Sequence, residues 1–138
     1  MIGKKIGEIS IGDTASFEKT ISESDIYLFA GITGDLNPAH INQVEAEKTV
    51  FKGRVAHGML VSSFISTVLG MYLPGPGTIY LGQELKFLAP VRIGDTIKAQ
   101  VQVIEKIEEK NRIKLKTTCC NQEGKVVVDG IATVMPPK

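Results

Sequence analysis

From Gly58 to Gly70 the chain reads Gly-Met-Leu-Val-Ser-Ser-Phe-Ile-Ser-Thr-Val-Leu-Gly, thirteen residues without one charge, entered through His57. Projected as a helix at about 100° per residue, Leu60, Val61, Phe64, Ile65, Val68 and Leu69 occupy one half. Met59, Ser62, Ser63, Ser66, Thr67 and Gly70 occupy the other. A solvated helix would carry charges on its outer half, and this one carries small and hydroxylic residues there instead. Its apolar half needs a sheet to cover it, while its small-residue half lets a backbone or a ligand come close. The rest of the chain therefore has to supply a sheet that wraps one buried helix.

The required strands follow. After the turn residues Leu73 to Gly77, the alternation Ile79, Leu81, Gln83, Leu85, Phe87 predicts a strand over 78–88 with these side chains on one face. Residues 96–105 alternate again, Ile97, Ala99, Val101 and Val103 facing in against Lys98, Gln100 and Gln102. A charged hairpin at Glu108 to Asn111 leads to Ile113, Leu115, Thr117 and Cys119 as the inward set of the next strand. A turn at Glu123-Gly124 then leads to Val126 through Met135. Three long strands joined by short turns form a meander, and residues 14–20 supply a further strand near the N-terminus. The architecture expected is α+β, a curved antiparallel sheet wrapped around one long central helix, in a single domain spanning 1–138 with no linker or repeat.

Between the first strand and the central helix lie two capping signals. Ser22 with Asp25, ahead of Ile26, Phe29 and Ala30, predicts a short amphipathic helix closing near Gly34. Asn42 with Glu45 predicts one or two helical turns through about Lys48. The intervening Gly34-Asp35-Leu36-Asn37-Pro38-Ala39-His40 is expected to be a loop, stiffened because Pro38 fixes its own φ and biases Asn37 toward extended geometry.

Composition narrows the function. Hydrophobic residues make up 43% and charged residues 22%, enough for a sizeable core. The net charge of +1 is spread over scattered Lys and Arg without Trp, so nucleic acid is not an expected partner. No stretch approaches the roughly 20 apolar residues of a membrane span, and no membrane partner is expected. The N-terminus lacks the apolar core of a signal peptide, so a cytoplasmic location is expected. Cys119 and Cys120 are adjacent, point to opposite faces of a strand and are expected to be reduced thiols.

Both histidines of the chain flank the passage from this loop into the charge-free helix. Singly, Asp35 reads as a turn residue bonding nearby backbone N–H groups and His40 as a loop histidine. Together, a carboxylate and an imidazole can orient one water and take its proton, since histidine titrates near neutrality at roughly 6.5. Gly58, at the helix N-terminus, adds an unpaired N–H with no side chain to block an approaching carbonyl oxygen. These are the parts needed to add water to, or remove it from, a double bond conjugated to a carbonyl. Asp35, His40 and His57 also make a two-histidine, one-carboxylate set, but their spacing matches no short metal motif and no metal or other cofactor is expected. Ser62, Ser63 and Ser66 lack a nucleophile elbow and are assigned to packing or supporting hydrogen bonds.

The run Ala30-Gly31-Ile32-Thr33-Gly34-Asp35-Leu36-Asn37-Pro38-Ala39-His40, then Val55-Ala56-His57-Gly58-Met59-Leu60, then Leu73-Pro74-Gly75 to Phe87 resembles the MaoC-like, (R)-specific enoyl-CoA hydratase family over nearly the whole chain. The sheet-around-helix arrangement is that family's hot-dog fold. The resemblance implies a cytoplasmic homodimer acting on an acyl-CoA thioester, with Asp35 and His40 as the catalytic pair and the Gly58 amide as donor to the thioester oxygen. Asn37 and Ser66 are implied in support. Ser66 lies eight positions past Gly58, about 12 Å along a helix axis, so its expected task is to orient the Asp35 loop. The reaction implied is reversible syn hydration of a trans-2-enoyl thioester to the (R)-3-hydroxyacyl thioester. Three alternatives remain: a 3-hydroxyacyl-acyl-carrier-protein dehydratase, a hot-dog acyl-CoA thioesterase, and a non-catalytic acyl-thioester-binding module. Many hot-dog thioesterases place an acid on the central helix, where residues 59–69 have none.

Overall fold

The computed structural model describes residues 1–138. Strand β1 (Thr14–Thr20) is followed by helices α1 (Glu23–Thr33), α2 (Pro38–Ile41), α3 (Gln43–Ala46) and α4 (Gly58–Met71). Strands β2 (Ile79–Phe87), β3 (Thr96–Ile107), β4 (Arg112–Cys120) and β5 (Val126–Met135) complete the chain. All five strands form one antiparallel sheet in the order β1-β3-β4-β5-β2. The expected meander is therefore β3-β4-β5, with β1 and β2 as its two edges.

The inward sets read from alternation are the core: Ile97, Ala99, Val101, Val103, Ile113, Leu115, Thr117 and Cys119 are all buried. Against them lies α4, whose Leu60, Val61, Phe64, Ile65, Val68 and Leu69 are buried as well. At about 1.5–3 kcal/mol for each large side chain removed from water, this face contributes on the order of 10 kcal/mol toward holding helix and sheet together. Of the helix's other half, Ser63 and Ser66 are exposed, whereas Ser62 is buried and donates to the Met59 carbonyl at 3.1 Å.

Two expectations needed correction. Strand β2 does not keep one alternating face. Its register with β5 slips between Tyr80 and Gly82, and most of the strand, including Ile79, Leu81 and Phe87, is exposed. A bulge inserts a residue and rotates the side chains beyond it, which a period of two cannot anticipate. The second concerns the segment 35–40, which is not a loop throughout. Pro38–Ile41 forms one helical turn carrying His40, with Pro38 near its start, where the missing N–H costs nothing, and the Asn37 side chain accepting from Ala39 N at 3.1 Å.

Candidate active site

Helix α1 delivers Asp35. Ser22 and Asp25 cap its start reciprocally, and Gly34 closes it in the left-handed conformation at φ 79°, its N–H donating to the Ala30 carbonyl at 2.9 Å. Asp25 is held below the usual carboxylate range: burial pushes it up, but hydrogen bonds from Lys19 and Ser22 outweigh that. Beyond the cap, Asp35 N–H donates to Thr33 Oγ1 at 3.1 Å, and its Oδ1 accepts from Asn37 N at 3.3 Å.

His40 is fixed from the other side. Val55 N donates to the Ala39 carbonyl at 3.1 Å, and the Val55 carbonyl lies 2.7 Å from His40 Nδ1. A carbonyl oxygen only accepts, so Nδ1 carries the proton and Nε2 is left with its lone pair.

His57 is 3% exposed. Its Nε2 donates to the backbone oxygen of Asp35 at 3.0 Å, and its ring stacks on that of His40 with centroids 3.8 Å apart and planes at 25°. Phe29 packs on it at 4.9 Å. Ligand atoms of Asp35, His40 and His57 all lie within 4.8 Å of one another, so the set had to be tested as a metal site. It does not fit. Imidazole lone pairs lie in the ring plane, and two stacked rings send them side by side rather than to one point about 2.1 Å from each.

Gly58 opens α4. Its N–H bonds to no carbonyl of the chain, and His57 provides no side-chain cap. His40, Asn37 and Gly58 all line one cavity of about 490 Å³ in which twelve of sixteen lining residues are hydrophobic, the character of a small-molecule site. Phe51, Val55, Met59, Phe87 and Val128 form part of its wall. Asp35 is exposed and does not line the cavity, although its carboxylate lies within 4.8 Å of the His40 ring nitrogen. Ser66 is exposed on α4 and makes no hydrogen bond to the Asp35 loop.

The cavity rim is clasped to α1. Arg54 donates to Glu23 at 2.8 Å and to the Tyr27 hydroxyl at 3.0 Å. The Glu23 carboxyl is lowered by the bonds it accepts from Arg54 and from the Tyr27 hydroxyl, and the Arg54 guanidinium is raised by its bond to Glu23. Arg92 donates to the Phe51 carbonyl and holds the turn ahead of Val55.

Residues 8–125 match the family model of the MaoC like domain. The chain belongs to that family. As a MaoC-like domain it is 59% identical over 130 residues to an (R)-specific enoyl-CoA hydratase of Rhodospirillum rubrum, covering 94% of this chain and 90% of the relative. A 3-hydroxybutyryl-CoA dehydratase of Methylorubrum extorquens is 47% identical, covering 95% of this chain and 83% of the relative. The unliganded R-hydratase PhaJ1 of Pseudomonas aeruginosa superposes with a TM-score of 0.93 at 46% identity, covering 99% of this chain and 87% of that one. MaoC-like membership and the hot-dog fold, both expected from the sequence, are borne out. His57 is the member of the site whose task sequence reasoning missed: its partners lie 17 and 22 residues away in the chain.

Proposed function

We propose that this protein is an (R)-specific enoyl-CoA hydratase, equally a 3-hydroxyacyl-CoA dehydratase, and that Asp35, His40 and the Gly58 amide perform the reaction. The observation that carries the assignment of roles is that His40, its Nδ1 held by the Val55 carbonyl, and Gly58, whose N–H bonds to no carbonyl of the chain, line one apolar cavity. A thioester carbonyl accepting from Gly58 places its conjugated double bond beside His40. The Asp35 carboxylate and His40 Nε2 hold a water and take one proton from it as its oxygen bonds to C3. The C2–C3 electrons move toward the carbonyl, whose growing negative charge meets the Gly58 N–H and the positive end of the α4 dipole. A proton delivered to C2 on the same face restores the carbonyl. Apolar walls exclude bulk water and strengthen each of these interactions.

We also propose that the protein works as a homodimer. Edge strand β2 leaves Ile79, Tyr80, Leu81 and Phe87 at least 40% exposed, and an apolar edge with unpaired backbone groups is suited to pairing with a second copy. Sedimentation at micromolar concentration should give twice the 14.9 kDa chain mass.

The decisive assay follows crotonyl-CoA through loss of enoyl-thioester absorbance alongside free-thiol release. Absorbance should fall with no thiol released; thiol release would point to a thioesterase, which the acid-free α4 disfavours. Inactivity toward CoA thioesters with turnover of the acyl-carrier-protein form would move the substrate to that carrier. Asp35→Asn and His40→Gln should each lose about a hundredfold to ten-thousandfold in kcat, with the double variant little worse than either, because the pair acts as a unit.

A further inference from the structure

We propose that His57 is a positioning residue that locks the three reacting groups into one geometry. Its ring nitrogen Nε2 holds the Asp35 main chain at 3.0 Å, its ring face lies 3.8 Å from that of His40, and its own carbonyl carbon is bonded to the Gly58 nitrogen. The last link is covalent. A peptide unit is planar, so the direction of the Gly58 N–H is fixed by the His57 backbone, which sits at φ −59° and ψ 132° with its side chain anchored. Tilting this one residue would move the acid, the base and the oxyanion donor together.

Packing alone does not account for an imidazole here. His57 is 3% exposed and absent from the cavity lining, so it does not touch substrate. Its Nδ1 is buried without a hydrogen-bond partner, a desolvated lone pair that phenylalanine would not have. What phenylalanine would lack is the donor to Asp35. The unpartnered nitrogen is the cost of having Nε2–H at that spot.

The inference rests on the hydratase reading, and one experiment separates the two. His57→Phe keeps an aromatic ring against His40 and removes the donor; His57→Gln keeps a donor and removes the ring. Steady-state hydration of crotonyl-CoA is measured for both and for the unaltered protein, with circular dichroism melts. His57→Phe should lose about tenfold to a hundredfold in kcat, the scale of misplaced reacting groups. KM should stay within about threefold, because no substrate contact is touched. His57→Gln should recover part of the loss. Full activity in His57→Phe overturns the inference, as does a kcat loss that only tracks a fall in Tm in both variants, or failure of both to fold. If the unaltered protein hydrates neither crotonyl-CoA nor the acyl-carrier-protein form of the enoyl thioester, the hydratase reading itself is overturned, and an altered His57 is not needed to see it.

Discussion

The ring of Phe87 lies so close to Gly58 that a Cβ at position 58 would come within 2.7 Å of two of its ring carbons. A neighbour on β2 requires glycine there independently of the thioester approach proposed for this amide. Gly58→Ala should therefore displace either the ring or the helix start and reduce kcat/KM by about tenfold or more, the effect of a small shift in an oxyanion donor. Phe87→Leu in the same chain should recover activity by freeing space, so the double variant should exceed the single in the crotonyl-CoA assay.

Asn37 caps the turn that carries His40. Its side-chain oxygen accepts from Ala39 N and closes the start of that single turn, which on the proposed mechanism holds the base. Asn37→Ala should cost about 1 kcal/mol of stability, the usual value of such a cap, and lower kcat more than it raises KM. Asn37→Asp, which keeps the acceptor, should retain the stability in a denaturant melt.

Acid should loosen the first helix. Asp25 is lowered in the folded protein, so it binds a proton less readily there than in the unfolded chain. Its contribution is complete above the unfolded carboxylate range near 4 and is lost as pH falls through the lower folded value. Asp25→Asn should lower Tm at pH 7 and flatten the loss of Tm below pH 4, measured by calorimetry across that range.

Cys119 should be silent to thiol reagents in the native state. Burial, and then the adjacent Cys120, push its thiol up to about 12, and its Sγ points at the Val61 carbonyl 3.8 Å away. Titration with an aromatic disulfide at pH 8 should label at most Cys120 in the folded protein and both cysteines in denaturant.

Much of this architecture was legible because it is written locally. Period-two alternation in β3, β4 and β5 names the inward residues directly, and the charge-free run of α4 demands cover. The capping box at Ser22 and Asp25 marks the start of α1 to the residue. What escaped is set by distant partners. Nothing near Tyr80 announces that β2 slips against β5 some fifty residues later, and the run Ile79 to Phe87 looked like a regular inward face. Asn37-Pro38 did carry a helix-start signal, but with Asn37 five residues before the Asn42 cap it passed for part of a loop. At the site, Asp35, His40 and Gly58 were legible as chemical types. His57 was not, since a histidine entering a helix says nothing of the ring it stacks on or the carbonyl it reaches. The assistance expected of Ser66 for the Asp35 loop finds no hydrogen bond to support it.

The bond from His40 Nδ1 to the Val55 carbonyl bears on reversibility as well as on tautomer. That nitrogen carries a proton whether the ring is neutral or doubly protonated, so the same 2.7 Å contact survives both states. Only Nε2 changes between them. In the proposed reaction the imidazole need not turn over between accepting a proton from water and returning one to a departing hydroxyl, and the two half-reactions share one ring orientation. Which way the reaction runs is then left to the concentrations of enoyl and hydroxyacyl thioester.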